Sequence, residues 1–410
     1  SVLNRHWLAF LINGIITLLA ALGNFFKLKY RNDPFSFADI SSVRAGLTVA
    51  GSYDLTPNTR IVLSVIFMIL LTVLLFAFAR IRGGKQYRWI SALIVILMIF
   101  PLWKYVYSNQ LLYLSLGQIN RVATTLDARQ TFVDTGFPYP FFHSIVSSVE
   151  NPPDDYNEQS TSEMLNEYRD SDIPDNQKVN LLIIQLESFC DLEAMGMTGI
   201  REDVYSPLRQ LQDESICGTM IANVIGGGTI NTERCVLAGT TKMLEYHKPA
   251  WSFVRYLKSQ GYQCTGSHPN TFYFYSREDV MNHLGFDDFL FLEYFAPITH
   301  ESWRCDDTYL PEVFRLFQES IQGEAPVFSF NITLQGHGPY NEESYDVSGD
   351  YWHGTGVSDR TDYVLNNYLS MVSETQMILL TEMEALRTAE EPVVLLLYGD
   401  HKPWFGDEVY

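Results

Sequence analysis

The stretch EEPVVLLLYGDHKPW, residues 390–404, carries an unbroken apolar run that stops at Tyr398, Gly399, Asp400 and His401. Apolar residues without alternation read as a strand buried on both faces, as in a parallel sheet covered by helices. Such a strand has no reason of its own to finish in an acid and an imidazole side by side. Ligands of open α/β sheets bind beyond the carboxyl ends of the strands. The Asp-His pair therefore points to a site, and other strands that end the same way should belong to it.

Three do. VNLLIIQLE ends in Glu187, GYQCTGSH in His268, and APVFSFNITLQGH in His337. Between them SPLRQLQDES, SFVRYLKSQ and DTYLPEVFRLFQESIQ have helical periodicity. Strands that alternate with helices give an α/β class, with a mainly parallel sheet flanked by helices. A lone Glu or His after a strand carries little, since each is more often a surface or structural group. Four strand ends with metal-capable side chains share an explanation, because carboxylate and imidazole are what a divalent cation recruits.

A second stretch, NVIGGGTINTERCVLAGTT (223–241), places three glycines before Thr229, and the residues after it can open a helix. Glycines let backbone amides approach a ligand closely, and a helix N-terminus favours an anion. The turn suits a phosphate or sulfate, with the Thr229 hydroxyl facing it. A hydroxyl attacks well only when a base or a metal lowers its pKa. The competing reading is a flexible loop with Thr229 as a helix cap. The chain has no GxSxG elbow, no GxxxxGK[ST] loop and no GxGxxG after a strand, so serine-hydrolase and nucleotide-binding readings have no anchor.

The front of the 410-residue chain is different in kind. WLAFLINGIITLLAALGNFF (7–26), IVLSVIFMILLTVLLFAFA (61–79) and WISALIVILMIFPLWKYVY (89–107) are each long and apolar enough to cross a bilayer as a helix. The first lacks the short apolar core and small-residue cleavage site of a signal peptide. Arg80, Arg82, Lys85 and Arg88 crowd the link between the second and third runs with no acid among them. The positive-inside rule places that link in the cytoplasm and everything after the third helix outside. Lys27, Lys29, Arg31, Arg44 and Arg60 in the first loop count against this orientation without reversing it. The expected organisation is membrane helices over 1–107, membrane-proximal helices and an acidic, Pro-bearing linker over 108–178, and an outer domain over 179–410. The helices of 108–150 read either as interfacial or as packed connectors.

The net charge of −20, most of it in the outer domain, argues against nucleic acid as a partner and suits metal cations. Five cysteines, an odd number with no CxxC, indicate neither a disulfide framework nor a zinc knuckle. Buried free thiols are expected.

The set LES (Glu187), GGGTINTE (Thr229), SHPNTFYFYSRE, QGHGPY and YGDH, in order over residues 179–404, resembles the lipoteichoic acid synthase family, in the sulfatase-like branch of the alkaline phosphatase superfamily. The resemblance implies that Glu187, Thr229, Asp400 and His401 bind one divalent cation, usually Mn2+, with Mg2+ or Zn2+ as alternatives. It also implies that Thr229 is the nucleophile and that His268, Arg277 and His337 hold glycerol phosphate. Tyr275 stands where the family commonly has Trp. The implied reaction takes glycerol phosphate from phosphatidylglycerol to a glycolipid, teichoic acid or polysaccharide acceptor of the cell envelope, at the outer face of a multi-pass membrane protein. Family members commonly have five membrane helices and further strands after the Asp-His pair, so the sequence is expected to be part of a longer chain. Two other readings stand beside this one: a phosphoethanolamine transferase, and a catalytically silent envelope-binding protein. No CxPxR or SxPxR surrounds the nucleophile, which speaks against sulfatase activity.

Overall fold

The computed structural model describes residues 5–31, 34–40, 43, 54–78, 85–116, 125–147, 155–167, 172–222, 224–241, 244, 246, 248–272, 274–299, 306–338, 340, 350–406 and 408–409. Arg80, Arg82 and Cys305 lie outside these residues. The chain forms two compact units, Ser1–Asp155 and Tyr156–Tyr410.

In the first unit, α1 (His6–Arg31), α2 (Thr59–Phe78) and α3 (Lys85–Leu102) carry three segments long and apolar enough to cross a membrane, His6–Tyr30, Thr59–Phe78 and Trp89–Tyr107. Helix α3 runs through Pro101 into a π-helical turn at Trp103–Tyr107, a local rearrangement that fits the N–H that proline lacks. Trp7 meets Phe76 edge-on at 5.5 Å and Gly14 faces Met68, so α1 and α2 run antiparallel. Lys27 pairs with Asp39 at 2.8 Å and Lys29 with Asp54 at 2.9 Å. Two cations that counted against an outer first loop are thus neutralised locally. Helices α4 (Gln110–Leu116), α5 (Thr125–Thr135) and α6 (Pro138–Ser147) follow. Buried His143 of α6 stacks on Tyr113 of α4 at 3.8 Å and bonds the Tyr107 carbonyl.

The second unit opens with α7 (Glu158–Glu167) and builds a five-stranded sheet from β1 (Asn180–Leu186), β2 (Gln263–Ser267), β3 (Asp288–Leu290), β4 (Val327–Ile332) and β5 (Val393–Gly399). The order is β3-β2-β4-β1-β5 and every pairing is parallel. Strand β3 has only three residues, too few to show a period in sequence. The helices are α8 (Ser206–Asp213), α9 (Thr229–Ala238), α10 (Phe253–Ser259), α11 (Arg277–Leu284), α12 (Leu292–Thr299), α13 (Asp306–Ser320) and α14 (Asp359–Leu386).

Successive strand residues face opposite sides, so two cores form. Leu182, Ile184 and Leu186 of β1 join Phe314 and Phe317 of α13 and Leu379 of α14. On the other face Leu181 and Ile183 join Phe328 and Phe330 of β4, Val254 of α10 and Leu284 of α11. The central strand β4 is buried at every residue. Strand β5 departs from expectation: Val394 and Leu396 are 51% and 47% exposed, so it is covered on one face only. It is the edge strand, and the helices of the second face cover β1, β4 and β2 instead. Among the described cysteines only Cys264 is buried, Cys190 and Cys235 are half-buried, and Cys217 is exposed. All four are free thiols. A third cluster, with Tyr205, Trp352 and Tyr368, packs behind the segment that follows β1.

Candidate active site

The parallel register Leu186↔Gly399 sets the ends of β1 and β5 side by side. The next residues, Glu187 on one strand and Asp400 and His401 on the other, therefore meet at the carboxyl edge of the sheet. A side chain on Gly399 would strike the Phe189 carbonyl, its Cβ 1.9 Å from the oxygen, so only glycine lets the two strand ends close. All three acid and imidazole groups are buried.

Thr229 arrives from the opposite direction. Gly226, Gly227 and Gly228 all have positive φ (68°, 146° and 95°), which only glycine adopts without strain. The turn is pinned to the end of β5 by the Gly226 amide, which donates to the Lys402 carbonyl at 2.8 Å. Thr229 is then the first residue of α9, where the positive end of the helix dipole lies. Its Oγ donates to Glu187 Oε2 at 2.8 Å and lies 3.5 Å from His401 Nε2. His401 Nε2 is in turn 3.4 Å from Glu187 Oε1 and 3.5 Å from Asp400 Oδ2.

The three buried groups shift one another strongly. Burial pushes Asp400 up to about 7, and the charge of Glu187 adds to it. Burial opposes ionisation of Glu187 too, but the hydrogen bond from His401 and the charges of His337 and His401 hold it well below the usual carboxylate range. For His401 burial again opposes the charge, and Asp400 and Glu187 outweigh it, raising the imidazole to about 9. Asp400 Oδ2 is buried and has no hydrogen-bond partner, a costly state for an acceptor unless something positive takes it. The ligand atoms of Glu187, Asp400 and His401 lie within 4.8 Å of one another. Two carboxylates, an imidazole and a hydroxyl fit one divalent metal ion. His401 Nδ1 meets the Lys402 carbonyl at 3.0 Å, which leaves Nε2 as the nitrogen that could face a metal ion.

The remaining expected residues share the neighbourhood. His268 is buried, donates Nδ1 to the Ile332 carbonyl at 3.1 Å, and is held well below its ordinary pKa by burial and then by Arg277. His337 donates Nδ1 to the Gly338 carbonyl and lies close enough to depress Glu187 electrostatically. Arg277 is buried, gives Nε and Nη2 to Glu233 at 2.8 to 3.2 Å, and has no partner at Nη1. Tyr275 is half-buried at a left-handed backbone position and rests edge-on against Phe274.

Three groups around the site went unseen in the sequence. The Ser188 amide donates to Asp400 Oδ1 at 2.7 Å from a backbone with φ 51°, joining the two strand ends. Tyr368 of α14 donates to the Ser188 carbonyl at 2.8 Å and braces that turn. Glu233 carries Arg277. Of these only Glu233 had a sequence signal: it lies four residues after Thr229, on the same helix face.

Several known proteins are similar to this chain. A Rhizobium meliloti (strain 1021) protein named for cyclic beta-1,2-glucan modification is 26% identical over 242 residues, 55% of this chain and 36% of its own length. The chain spans less than half the length of the curated relatives that head the comparison. Streptococcus pyogenes phosphoglycerol transferase GacH, in complex with sn-glycerol-1-phosphate, shares 22% identity, with a TM-score of 0.47 over 62% of this chain and 72% of its own. The integral membrane protein lipooligosaccharide phosphoethanolamine transferase A (EptA) of Neisseria meningitidis matches with a TM-score of 0.54 at 12% identity, over 97% of this chain and 73% of its own. The model of the family described as Sulfatase matches residues 179–408. That match covers more than half of the chain and contains every element of the sheet and of the metal-capable group, and on it the chain belongs to the Sulfatase family, within the alkaline phosphatase superfamily.

Proposed function

We propose that this chain is a membrane-anchored phosphotransferase in which Thr229 attacks phosphatidylglycerol, diacylglycerol leaves, and glycerol phosphate passes to a hydroxyl of a cell-envelope acceptor. The observation that carries this reading is the Thr229 hydroxyl, 2.8 Å from Glu187 inside the buried group with Asp400 and His401. A divalent cation held by Glu187, Thr229, Asp400 and His401, manganese by resemblance with magnesium or zinc as alternatives, would lower the hydroxyl's pKa and offset charge on the phosphoryl oxygens.

The chain's own groups supply the rest. Glu187 accepts the Thr229 hydrogen bond and so fixes the direction of the attacking oxygen. Arg277 Nη1 has no partner and is left for a non-bridging phosphoryl oxygen. In the first half-reaction the Thr229 hydroxyl gives up its proton as the Oγ–P bond forms, and the bond from phosphorus to the diacylglycerol oxygen breaks, that oxygen taking up a proton. In the second, an acceptor hydroxyl loses a proton, attacks phosphorus and frees Thr229. His337 or His268 serves for these transfers, each with Nδ1 committed to a carbonyl and Nε2 directed elsewhere.

The apolar helices tether the enzyme to the bilayer that contains its donor, which cuts the entropic cost of their encounter. An outer position for the sheet domain follows from the basic 80–88 link, and the pairing of Lys27 and Lys29 with acids is in keeping with it. The relative named for cyclic beta-1,2-glucan modification favours a polysaccharide among the acceptors.

The test is incubation of the purified chain with fluorescent phosphatidylglycerol and manganese. Diacylglycerol release together with a glycerophosphate adduct on the peptide bearing Thr229 is the expected result. Release from phosphatidylethanolamine in its place would make the enzyme a phosphoethanolamine transferase. Silence with both lipids and no bound metal would restore the reading as an envelope-binding protein.

A further inference from the structure

Helix α9 carries more than Thr229. Glu233, one turn along the same face and 1% exposed, grips Arg277 through Nε and Nη2. The next residue, Arg234, is also buried and donates Nη2 to the Tyr275 carbonyl at 3.1 Å. Both contacts fall on one short segment, and it is a strained one. Tyr275 and Ser276 are consecutive non-glycine residues with positive φ, 58° and 52°. Such a pair persists only where surrounding contacts over-determine it. The strain delivers Arg277 as the first residue of α11 with its guanidinium turned back to α9. Glu233 takes the Nε–Nη2 edge of the guanidinium and leaves the buried Nη1 without a partner. Arg277 also lies near enough to His268 to lower its pKa.

We infer that Glu233 and Arg234 are positioning residues. Together they hold the Tyr275–Ser276 turn and clamp Arg277 so that its Nη1 end meets the phosphoryl group, at a spacing from Thr229 set by one turn of α9. This rests on the proposed role of Arg277 at the phosphoryl group.

The experiment uses the full chain in nanodiscs, in wild-type form and as Glu233→Gln, Glu233→Met, Arg277→Met, the Glu233→Met/Arg277→Met double variant and Arg234→Met. Three quantities are read: glycerol phosphate binding by calorimetry, manganese affinity, and kcat and KM for fluorescent phosphatidylglycerol. The nearly isosteric Glu233→Gln keeps the packing, and the double variant removes both buried charges together, so each guards against loss of fold in a single variant. Glu233→Met and Arg277→Met should each weaken glycerol phosphate binding and lower kcat/KM by about 100-fold, the scale of a misplaced catalytic group. The double variant should be no worse than either single, because both act through one guanidinium. Glu233→Gln and Arg234→Met should lose less, chiefly through KM. Manganese affinity should stay within about 2-fold throughout, since none of these residues is a proposed ligand. Additive losses in the double variant, or unchanged glycerol phosphate binding in folded Glu233→Met, would overturn the inference. Wild type that binds glycerol phosphate through this clamp but releases no diacylglycerol would sink the lipid-transfer reading and leave the clamp standing. Wild type that binds no glycerol phosphate would sink the clamp.

Discussion

Thr229→Ala separates the catalytic from the structural meaning of the glycine-rich turn. The hydroxyl makes one hydrogen bond to an ionised acceptor, Glu187 Oε2 at 2.8 Å. Bonds of this type contribute about 1.5–3 kcal/mol. Glu187 keeps Ser188 Oγ at 3.2 Å and His401 Nε2 at 3.4 Å, so its carboxylate does not become an orphan. The turn is held by the Gly226 amide and the three glycines, none of which the substitution touches. For a unit of this size each kcal/mol moves the Tm by roughly 2–4 °C, so the expected fall is about 3–12 °C with the fold intact. Activity is another matter: loss of a covalent nucleophile costs on the order of 10⁶-fold. The assay pairs diacylglycerol release with a melting curve on the same preparation. Turnover that survives in the Ala variant would refute Thr229 as nucleophile. Collapse of the fold would refute the assignment of its hydroxyl to chemistry and make it a structural cap.

Other outcomes follow from the same geometry. Manganese at 100 times its Kd should stabilise the chain by about 2.7 kcal/mol, read as a rise in Tm that chelation reverses and that Glu187→Gln abolishes; equal melting with and without metal would oppose a metal site. Asp306, buried with Oδ1 unpartnered, is raised from 3.8 to about 7 by burial and then by the charge of Glu374. Between these values the folded chain binds a proton that the unfolded chain has lost, so stability should fall as pH rises through that window, by at most about 4 kcal/mol. Asp306→Asn should flatten the melting temperature over that range, and an unaltered pH profile would show that Asp306 is ionised at no cost. Phe330→Ala, in the fully buried central strand, should cost about 3–5 kcal/mol, measured as a lowered Tm with metal affinity preserved in the fraction that stays folded.

Much of this was legible in sequence because the chemistry sits at strand ends. The runs that finish in Glu187 and in Asp400 and His401 are apolar enough to announce strands, and a parallel sheet gathers such ends on one edge. The three glycines before Thr229 were equally plain. What escaped were features that depend on pairing order or on the backbone. Edge or centre is a property of topology, so β5 read as buried on both faces although Val394 and Leu396 are open. The left-handed turns at Ser188, Tyr275 and Ser276 involve ordinary residues with no compositional mark. Tyr368 reaches Ser188 across 180 residues, a distance no local pattern encodes.

The parallel pairing of β1 with β5 joins Asn180 to Val393, and this imposes an order on the making of the protein. Glu187 emerges early in synthesis, but the partners that give its buried carboxylate a purpose come more than 200 residues later. Until β5 docks, the last turn of β1 has no neighbour on that side and the metal-capable group does not exist. Closure over so long a loop is slow, and a chain halted before residue 393 would lack the site entirely. The metal-capable group is therefore completed only when the strand bearing Asp400 and His401 reaches the sheet.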